Sequence, residues 1–466
     1  MKIKIGQKEK IHFIGIGGIG MSGLAQIMRT MGFNVQGSDL AKNKNVENCK
    51  ALGIKFFKGH KKSNIKEATI IVKSSAIKNN NQEIKSAKKR KLPIYERVEM
   101  LSNVVALKKN IVITGSHGKT TTTSLVAKIL SMTKLDPTII NGGVINSIKN
   151  NAKLGKGDWA VLEADESDGS FLKLPINYSI VTNLDEEHID FYKNYKNLEQ
   201  SFLKFIHKTP PIGKCIICLD DSNIRKLKKS IKIKNFITYG FQRDVDYRII
   251  NPKYALDKCK FDLILKESNK DKKLIKNISL NLLGEHNILN ATAAICVCLN
   301  LGVSIQTIKR ALMTFSGVQR RMTKIFSLRN NTFYDDYAHH PTEISSVLEG
   351  IKKVSKNKKI TSVFQPHRYS RVQSLKIDFS KSFNNSDCVI LCPIYAAGEK
   401  KIGNFNMENF ARLIAKNSKV QVVIIQNKEE LRKYFQKNLI KNEIIIGMGA
   451  GTISSWMRSL KDSLLI

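Results

Sequence analysis

At 466 residues the chain is too long for a single hydrophobic core, and two to four domains are expected. A formal net charge of +39 raises nucleic acid as a partner, but the lysines are dispersed among Asn and Ile, with no basic arm, aromatic-interleaved basic motif or zinc-finger spacing, which argues against a specific nucleic-acid binder. No signal sequence opens the chain and no apolar run approaches the roughly 20 residues of a membrane helix, so no membrane insertion and a cytoplasmic location are expected.

Lys10, Ile11, His12, Phe13 and Ile14 read as a buried strand that runs into a glycine loop and then a helix containing Leu24, Ile27 and Met28. Gly15, Gly17 and Gly20 match G-x-G-x-x-G, with Gly18, Ile19 and Ser22 in the same turn. The next strand ends in Asp39, near the distance at which an acidic side chain accepts hydrogen bonds from ribose hydroxyls. This order predicts a Rossmann-like domain over residues 1–107 that holds a nucleotide diphosphate. The loop alone fits NAD, and hence a dehydrogenase, equally well. Ile70, Ile71 and Val72, followed by Ser74 and Ser75, read as a later parallel strand whose end faces the same crevice, or as a plain turn.

The stretch 111–123 reads IVITGSHGKTTTT and predicts strand, glycine loop and helix start, the arrangement of a phosphate-binding loop. Gly115 and Gly118 let loop amides, including those of Ser116 and His117, approach phosphate oxygens. Lys119 would reach the β- and γ-phosphates, the Thr120 hydroxyl can ligate Mg²⁺, and Thr121 continues the helix start. The longer pattern G-x-x-x-x-G-K-[ST] is not met, because Ile113 stands where its first glycine would be. A central P-loop ATPase-type domain over residues 108–318 is therefore expected.

Two strands then end in carboxylates: Trp159 to Glu163 leads to Asp165, Glu166 and Asp168, and the strand through Val181 leads to Asp185, Glu186, Glu187 and His188. Beside a phosphate loop, such strand ends can hold metal ions that bridge phosphates. Eight cysteines are scattered, and the lone C-x-x-C of Cys215 and Cys218 lies in an apolar run, which favours a buried strand over metal or redox work. His286, Asn287 and Asn290 cluster at the start of an alanine-rich helix, where they could cap it or read an adenine edge. From residue 319 to 466, strands ending at Tyr334, Phe364, Cys392, Ile425 and Ile446 alternate with helices. A third, Rossmann-like α/β domain with a mostly parallel sheet is predicted. Pro341 can start the helix after Tyr337, Ala338, His339 and His340. Arg368 and Arg371, on a strand-end loop, suit a carboxylate or phosphate, or a surface ion pair.

Seven segments in order, HFIGIGGIGMSG, GSHGKTTTT, EADESDGSF, TNLDEEHIDFY, GEHNILNA, DDYAHHPTE and FQPHRYSR, resemble the three-domain Mur ligases over nearly the whole chain. The resemblance implies a UDP-substrate domain, an ATP-binding central domain and a C-terminal amino-acid-binding domain. It implies that ATP phosphorylates the lactyl carboxylate of UDP-N-acetylmuramate and that L-alanine attacks the acyl phosphate, as peptidoglycan precursor synthesis requires. A related ligase that recycles muropeptides, joining a tripeptide to the same UDP-sugar, is the alternative. The resemblance further implies that the first loop (Gly17, Gly18, Ile19, Gly20, Ser22, Asp39, Ser75) holds UDP. Thr120, Glu166 and His188 are implied as Mg²⁺ ligands, with Lys119, Glu166 and His188 catalytic. His286, Asn287, Asn290, Arg321 and Asp335 are implied as ATP contacts, and Tyr337, His339, Arg368 and Arg371 as the amino-acid and acyl-phosphate side. A monomer or homodimer is expected.

Overall fold

The computed structural model describes residues 5–6, 8–266, 272–355, 357–400 and 405–464. Strands alternate with helices and, among the described residues, form sheets of five, ten and six strands. In the first sheet the order is Lys55–Lys58, Asn34–Asp39, Lys10–Ile14, Ile70–Lys73, Ile94–Glu96, and every pairing is parallel. Ile11, Phe13 and Ile14 are fully buried, because crossover helices cover both faces of a parallel sheet. The chain leaves Lys10–Ile14 first toward one neighbour and later toward the other. Its C-terminal end is therefore a switch point at which a ligand crevice opens, and the first glycine loop sits there.

In the second sheet Lys109–Thr114 lies between Tyr178–Val181 and Trp159–Glu163, parallel to both. The run Ile111, Val112, Ile113 is wholly buried. The strand Cys215–Cys218 continues this sheet, and burial pushes both thiols up to about 12, so they behave as core residues. In the third sheet Asn331–Asp336, Glu443–Met448, Lys359–Phe364, Cys388–Leu391 and Gln421–Ile424 run parallel. Thr323–Leu328 pairs antiparallel at one edge. Pro341 opens the helix Pro341–Val354, where its fixed φ and missing N–H cost nothing.

By compactness the chain divides into two units, 1–251 with 261–280 and 289–316, and 252–260 with 281–288 and 317–466. The first sheet and the phosphate-loop strand thus share one unit. The reason is local. Helix Ile19–Thr30 lies directly on strand Asn150–Lys153, where a Cβ on Gly23 would stand 3.0 Å from that of Ala152, and Asn150 Nδ2 donates to Gln26 Oε1 at 2.8 Å. No described helix is long and apolar enough to cross a membrane.

Candidate active site

The phosphate-loop helix, Lys119–Ser131, begins after Gly118 at φ +80°, a left-handed conformation that glycine adopts without strain. A side chain there would also run into Asn290, whose Oδ1 accepts from Thr122 Oγ1 at 3.2 Å. Gly115, at φ +136°, lies against Thr182, and no Cβ would fit. The segment after Tyr178–Val181 clamps the loop. His117 N donates to Asn183 Oδ1 at 2.7 Å, the His117 carbonyl accepts from Thr182 Oγ1 at 2.6 Å, and Asp185 N donates to Ser116 Oγ at 2.8 Å. His117 Nε2 lies 3.1 Å from Asp185 Oδ2. Asn183 was not singled out in the sequence. Its role follows from the parallel pairing of its strand with the loop strand.

Lys119 is turned back onto its own loop. Its Nζ donates to the Gly115 and Ser116 carbonyls at 2.6 and 3.0 Å and lies 3.0 and 2.8 Å from the two Glu166 oxygens. Burial alone would lower its pKa, but Glu166, Asp165 and Glu187 outweigh it and hold the ammonium well above the ordinary lysine range. Thr120 Oγ1 donates not to Glu166 but to Glu163 Oε1, at 3.0 Å. Glu163 Oε2 accepts from Gly142 N at 2.6 Å, and burial raises its pKa despite Lys119. The signal for Glu163 is strand register: it pairs with Ile113 at the end of the neighbouring parallel strand, just below the loop.

Glu166, Glu187 and His188 place one ligand atom each within 4.8 Å of one another. His188 Nε2 is 3.6 Å from Glu166 Oε1 and 3.8 Å from Glu187 Oε2. His188 has φ +58° and caps the short helix Ile189–Tyr192, whose Tyr192 hydroxyl donates to the Glu166 carbonyl. Burial lowers the imidazole pKa, but the Glu166 hydrogen bond and the charges of Glu187, Glu166 and Asp165 more than offset it, so the net shift is upward. An oxygen-rich set with one imidazole suits a divalent cation.

In the first sheet, Gly17 N donates to Asp39 Oδ2 at 2.8 Å, and the Gly17 carbonyl accepts from Asn43 and Asn45 at 3.0 and 2.9 Å. Gly18 caps helix Ile19–Thr30, and Gly20 faces Arg97. Ser22 is fully buried, its hydroxyl donating to the Ile19 carbonyl at 3.0 Å, whereas Ser75 is exposed.

In the second unit, Arg320 and Arg321 lie over the Tyr337 ring, 4.6 and 5.3 Å from its centroid. His339 Nδ1 is 2.9 Å from the Tyr337 carbonyl, and its ring is 5.8 Å from that of His367, which stacks on Tyr395 at 5.6 Å. Burial, together with His339, Arg371 and Arg368, pushes His367 down to about 3. Arg371 lies 3.5 Å from His367 Nδ1, so Tyr337, His339, His367 and Arg371 form one cluster, while Arg368 is exposed at φ +67°. Alternation along Asn331–Asp336 sends its two aspartates to opposite faces. Asp335 is buried on Ser454 and Arg458, at 2.6 and 2.9 Å, whereas Asp336 accepts from the Met322 and Ala338 amides at 2.7 and 2.8 Å. Asn287 Nδ2 donates to the Leu283 carbonyl at 2.7 Å, and burial, with the charge of Arg321, pushes the His286 imidazole down to about 4.

Three family models match the chain: the Mur ligase family, catalytic domain, over residues 10–109, the Mur ligase middle domain over 113–298, and the Mur ligase, glutamate ligase domain over 320–451. The chain is 55% identical over 462 residues to the UDP-N-acetylmuramate–L-alanine ligase of Pelagibacter ubique, covering 99% of this chain and 100% of that protein. Identity to the ligase of the same name from Brucella anthropi is 40% over 454 residues, 97% of each chain. The crystal structure of UDP-N-acetylmuramate-alanine ligase from Thermotoga maritima matches with a TM-score of 0.82 at 28% identity, covering 98% of this chain and 99% of that one. A murein peptide ligase from Psychrobacter arcticus matches with a TM-score of 0.73 over 98% of each chain, but at 21% identity this is a likeness of fold alone. The chain, with its three α/β sheets and its phosphate loop on the middle one, belongs to the Mur ligase family.

Proposed function

We propose that the protein is an ATP-dependent ligase that joins L-alanine to the lactyl carboxylate of UDP-N-acetylmuramate, a step of peptidoglycan precursor synthesis. The observation that carries this reading is the 55% identity, over 99% of the chain, to a ligase of that name. A cytoplasmic location follows from the same reading. We assign residues 1–107 to the UDP-sugar, 108–318 to ATP and 319–466 to the amino acid.

The chemistry explains the residues. A carboxylate oxygen is a poor leaving group, so the carboxylate first takes the γ-phosphoryl group of ATP and releases ADP. The alanine amine then attacks the acyl carbon, loses a proton, and the tetrahedral adduct expels phosphate to leave the amide. Carboxylate and γ-phosphate repel, and preorganised positive charge must offset that repulsion. Lys119 supplies one such charge, moving from Glu166 and its loop carbonyls to the phosphates. The donor sets around Thr120 with Glu163, and around Glu166, Glu187 and His188, fit Mg²⁺, which when bound would neutralise charge building on the phosphates. Gly115, Gly118 and the first turn through Thr121 are assigned to the phosphates, whereas the amides of Ser116 and His117, expected from the sequence to face phosphate, are spent on the Asn183 carbonyl and Oδ1 at 3.2 and 2.7 Å and shape the loop instead. By the family resemblance, His286, Asn287, Asn290, Arg321 and Asp335 are assigned to the rest of ATP. Tyr337, His339, Arg368 and Arg371 are assigned to the amino acid and acyl phosphate. Gly17, Gly18, Ile19, Gly20 and Asp39 are assigned to UDP.

The test is ADP release from ATP in the presence of UDP-N-acetylmuramate and, in turn, L-alanine, L-serine, glycine and an alanyl tripeptide. Alanine-dependent turnover is the expected result. Turnover with the tripeptide alone would point instead to muropeptide recycling.

A further inference from the structure

A buried hydrogen-bonded path, passing through the backbone of Asn141, joins the first turns of the helices that follow the two glycine loops of the first unit. Asn151 Nδ2 donates to the carbonyl of Ile19, in the first turn of the helix that follows the first loop, at 2.8 Å, and to the carbonyl of Asn141 at 3.4 Å. Asn141 Nδ2 donates to Ser124 Oγ at 3.0 Å, and Ser124 Oγ donates to the carbonyl of Thr120, in the first turn of the phosphate-loop helix, at 2.7 Å. Asn151, Asn141 and Ser124 are all buried to within 1%. Asn141 Nδ2 also donates to the Gly143 carbonyl at 2.9 Å, so the side-chain donors of Asn151, Asn141 and Ser124 all have acceptors here, and a change of partner would leave a buried donor unmatched. Gly23 makes room for this relay, since a Cβ there would lie 2.6 Å from Asn151 Nδ2.

We propose that Asn151 is a positioning residue that yokes the first-domain loop to the phosphate-loop helix, holding the acceptor carboxylate and the γ-phosphate at reacting distance. It touches neither nucleotide through its side-chain amide, whose two hydrogens are spent on the two carbonyls. Its contribution lies in the separation between the sites. The inference rests on the proposed ligase reading, in which the first loop holds the UDP-sugar and the second holds ATP.

The experiment compares the full-length parent with Asn151→Ala, Asn151→Asp, Ser124→Ala and the Asn151→Ala/Ser124→Ala pair. Single-turnover ADP formation from ATP and UDP-N-acetylmuramate, without amino acid, is measured alongside the affinity for each nucleotide alone. Each alanine variant is expected to slow the single turnover by about 10 to 10² fold, the scale of a misplacement of reacting groups near 1 Å, with both separate affinities unchanged. Asn151→Asp, which sets an acceptor against two carbonyls, is expected to be slower than Asn151→Ala. The pair is expected to be no slower than the worse single variant, because both changes break one relay. A folded Asn151→Ala or Ser124→Ala with the parent's single-turnover rate overturns the proposal, as do effects that multiply in the pair. Loss of either separate affinity in step with the rate also overturns it, since that is what a merely structural residue would produce. Should Asn151→Ala not fold, Ser124→Ala carries the test from the other end of the relay. A parent that forms no ADP with the UDP-sugar refutes the ligase reading instead.

Discussion

Lys119 and Glu166 form a buried ion pair, with Nζ 3.0 Å from Oε1 and 2.8 Å from Oε2 and the Glu166 side chain 1% exposed. The loop pattern predicts a lysine aimed at ligand, and a lysine so aimed could be removed without harm to the fold. The pair changes that expectation. Lys119→Ala should lower turnover by about 10² to 10³ fold, as expected for one preorganised charge in a dry site. It should also destabilise the nucleotide-free protein, by up to about 3 kcal/mol, because the buried Glu166 carboxylate loses its ammonium partner and keeps, among the described residues, only His188, at 3.6 Å, beside it. Adding Glu166→Gln should restore most of the stability and none of the turnover. Thermal unfolding of the single and double variants, without nucleotide, is the check, and equal midpoints for parent and Lys119→Ala would refute the account.

The metal sets separate two expectations. Glu163→Ala should raise the Mg²⁺ needed for ATP-dependent turnover, since Thr120 loses its neighbouring carboxylate. His188→Ala should raise the Mg²⁺ needed for acyl-phosphate formation while leaving ATP affinity nearly unchanged, because Lys119, Thr120 and the loop remain. A magnesium titration of single-turnover ADP formation, run beside calorimetric ATP binding, distinguishes them. Normal rates at low magnesium in His188→Ala would exclude this histidine as a ligand.

Asp39 accepts from Gly17 N, so it shapes the first loop as well as facing it. Asp39→Ala should weaken UDP-N-acetylmuramate binding by about tenfold or more, the loss of a charge-assisted hydrogen bond, and leave ATP binding unaltered. Calorimetry with each nucleotide tests this. Micromolar binding of NADH by the parent would contradict the assignment of the loop to UDP.

His286 gives a pH dependence of stability. Burial, and next the charge of Arg321, push its imidazole down to about 4 from an ordinary value of 6.5. Between those values the unfolded chain binds a proton that the folded chain refuses. Stability is therefore full above pH 6.5 and falls as pH drops toward 4, by up to about 3 kcal/mol. His286→Gln should flatten that part of the profile. Urea midpoints of parent and variant from pH 7 to pH 4 provide the measurement, and parallel profiles would rule out this histidine as the source.

The sequence alone determined the local pieces. The apolar run 111–113, the glycine loop and the threonine-rich helix start are residues a few positions apart, and backbone geometry ties such neighbours together directly. The same holds for the first glycine loop and for Pro341 at the head of its helix. The buried strand around Cys215 and Cys218 was legible for the same reason, since an uninterrupted apolar run leaves no place for solvent. Tertiary structure decided which polar groups meet. The carboxylates of Glu163 and Glu166 look interchangeable in the chain, yet the register of Ile113 with Glu163 puts the former on Thr120 and leaves the latter to Lys119. Asp335 and Asp336 differ only in the parity of their strand positions, which sends one to Ser454 and Arg458 and the other to the Met322 and Ala338 amides. Asn151 carries no motif at all. Its contacts with Ile19 and Asn141 arise because a helix and a strand distant in the chain pack closely enough, over Gly23, to share one amide group. Such contacts depend on strand register and on the packing of whole elements, and no short-range periodicity encodes either.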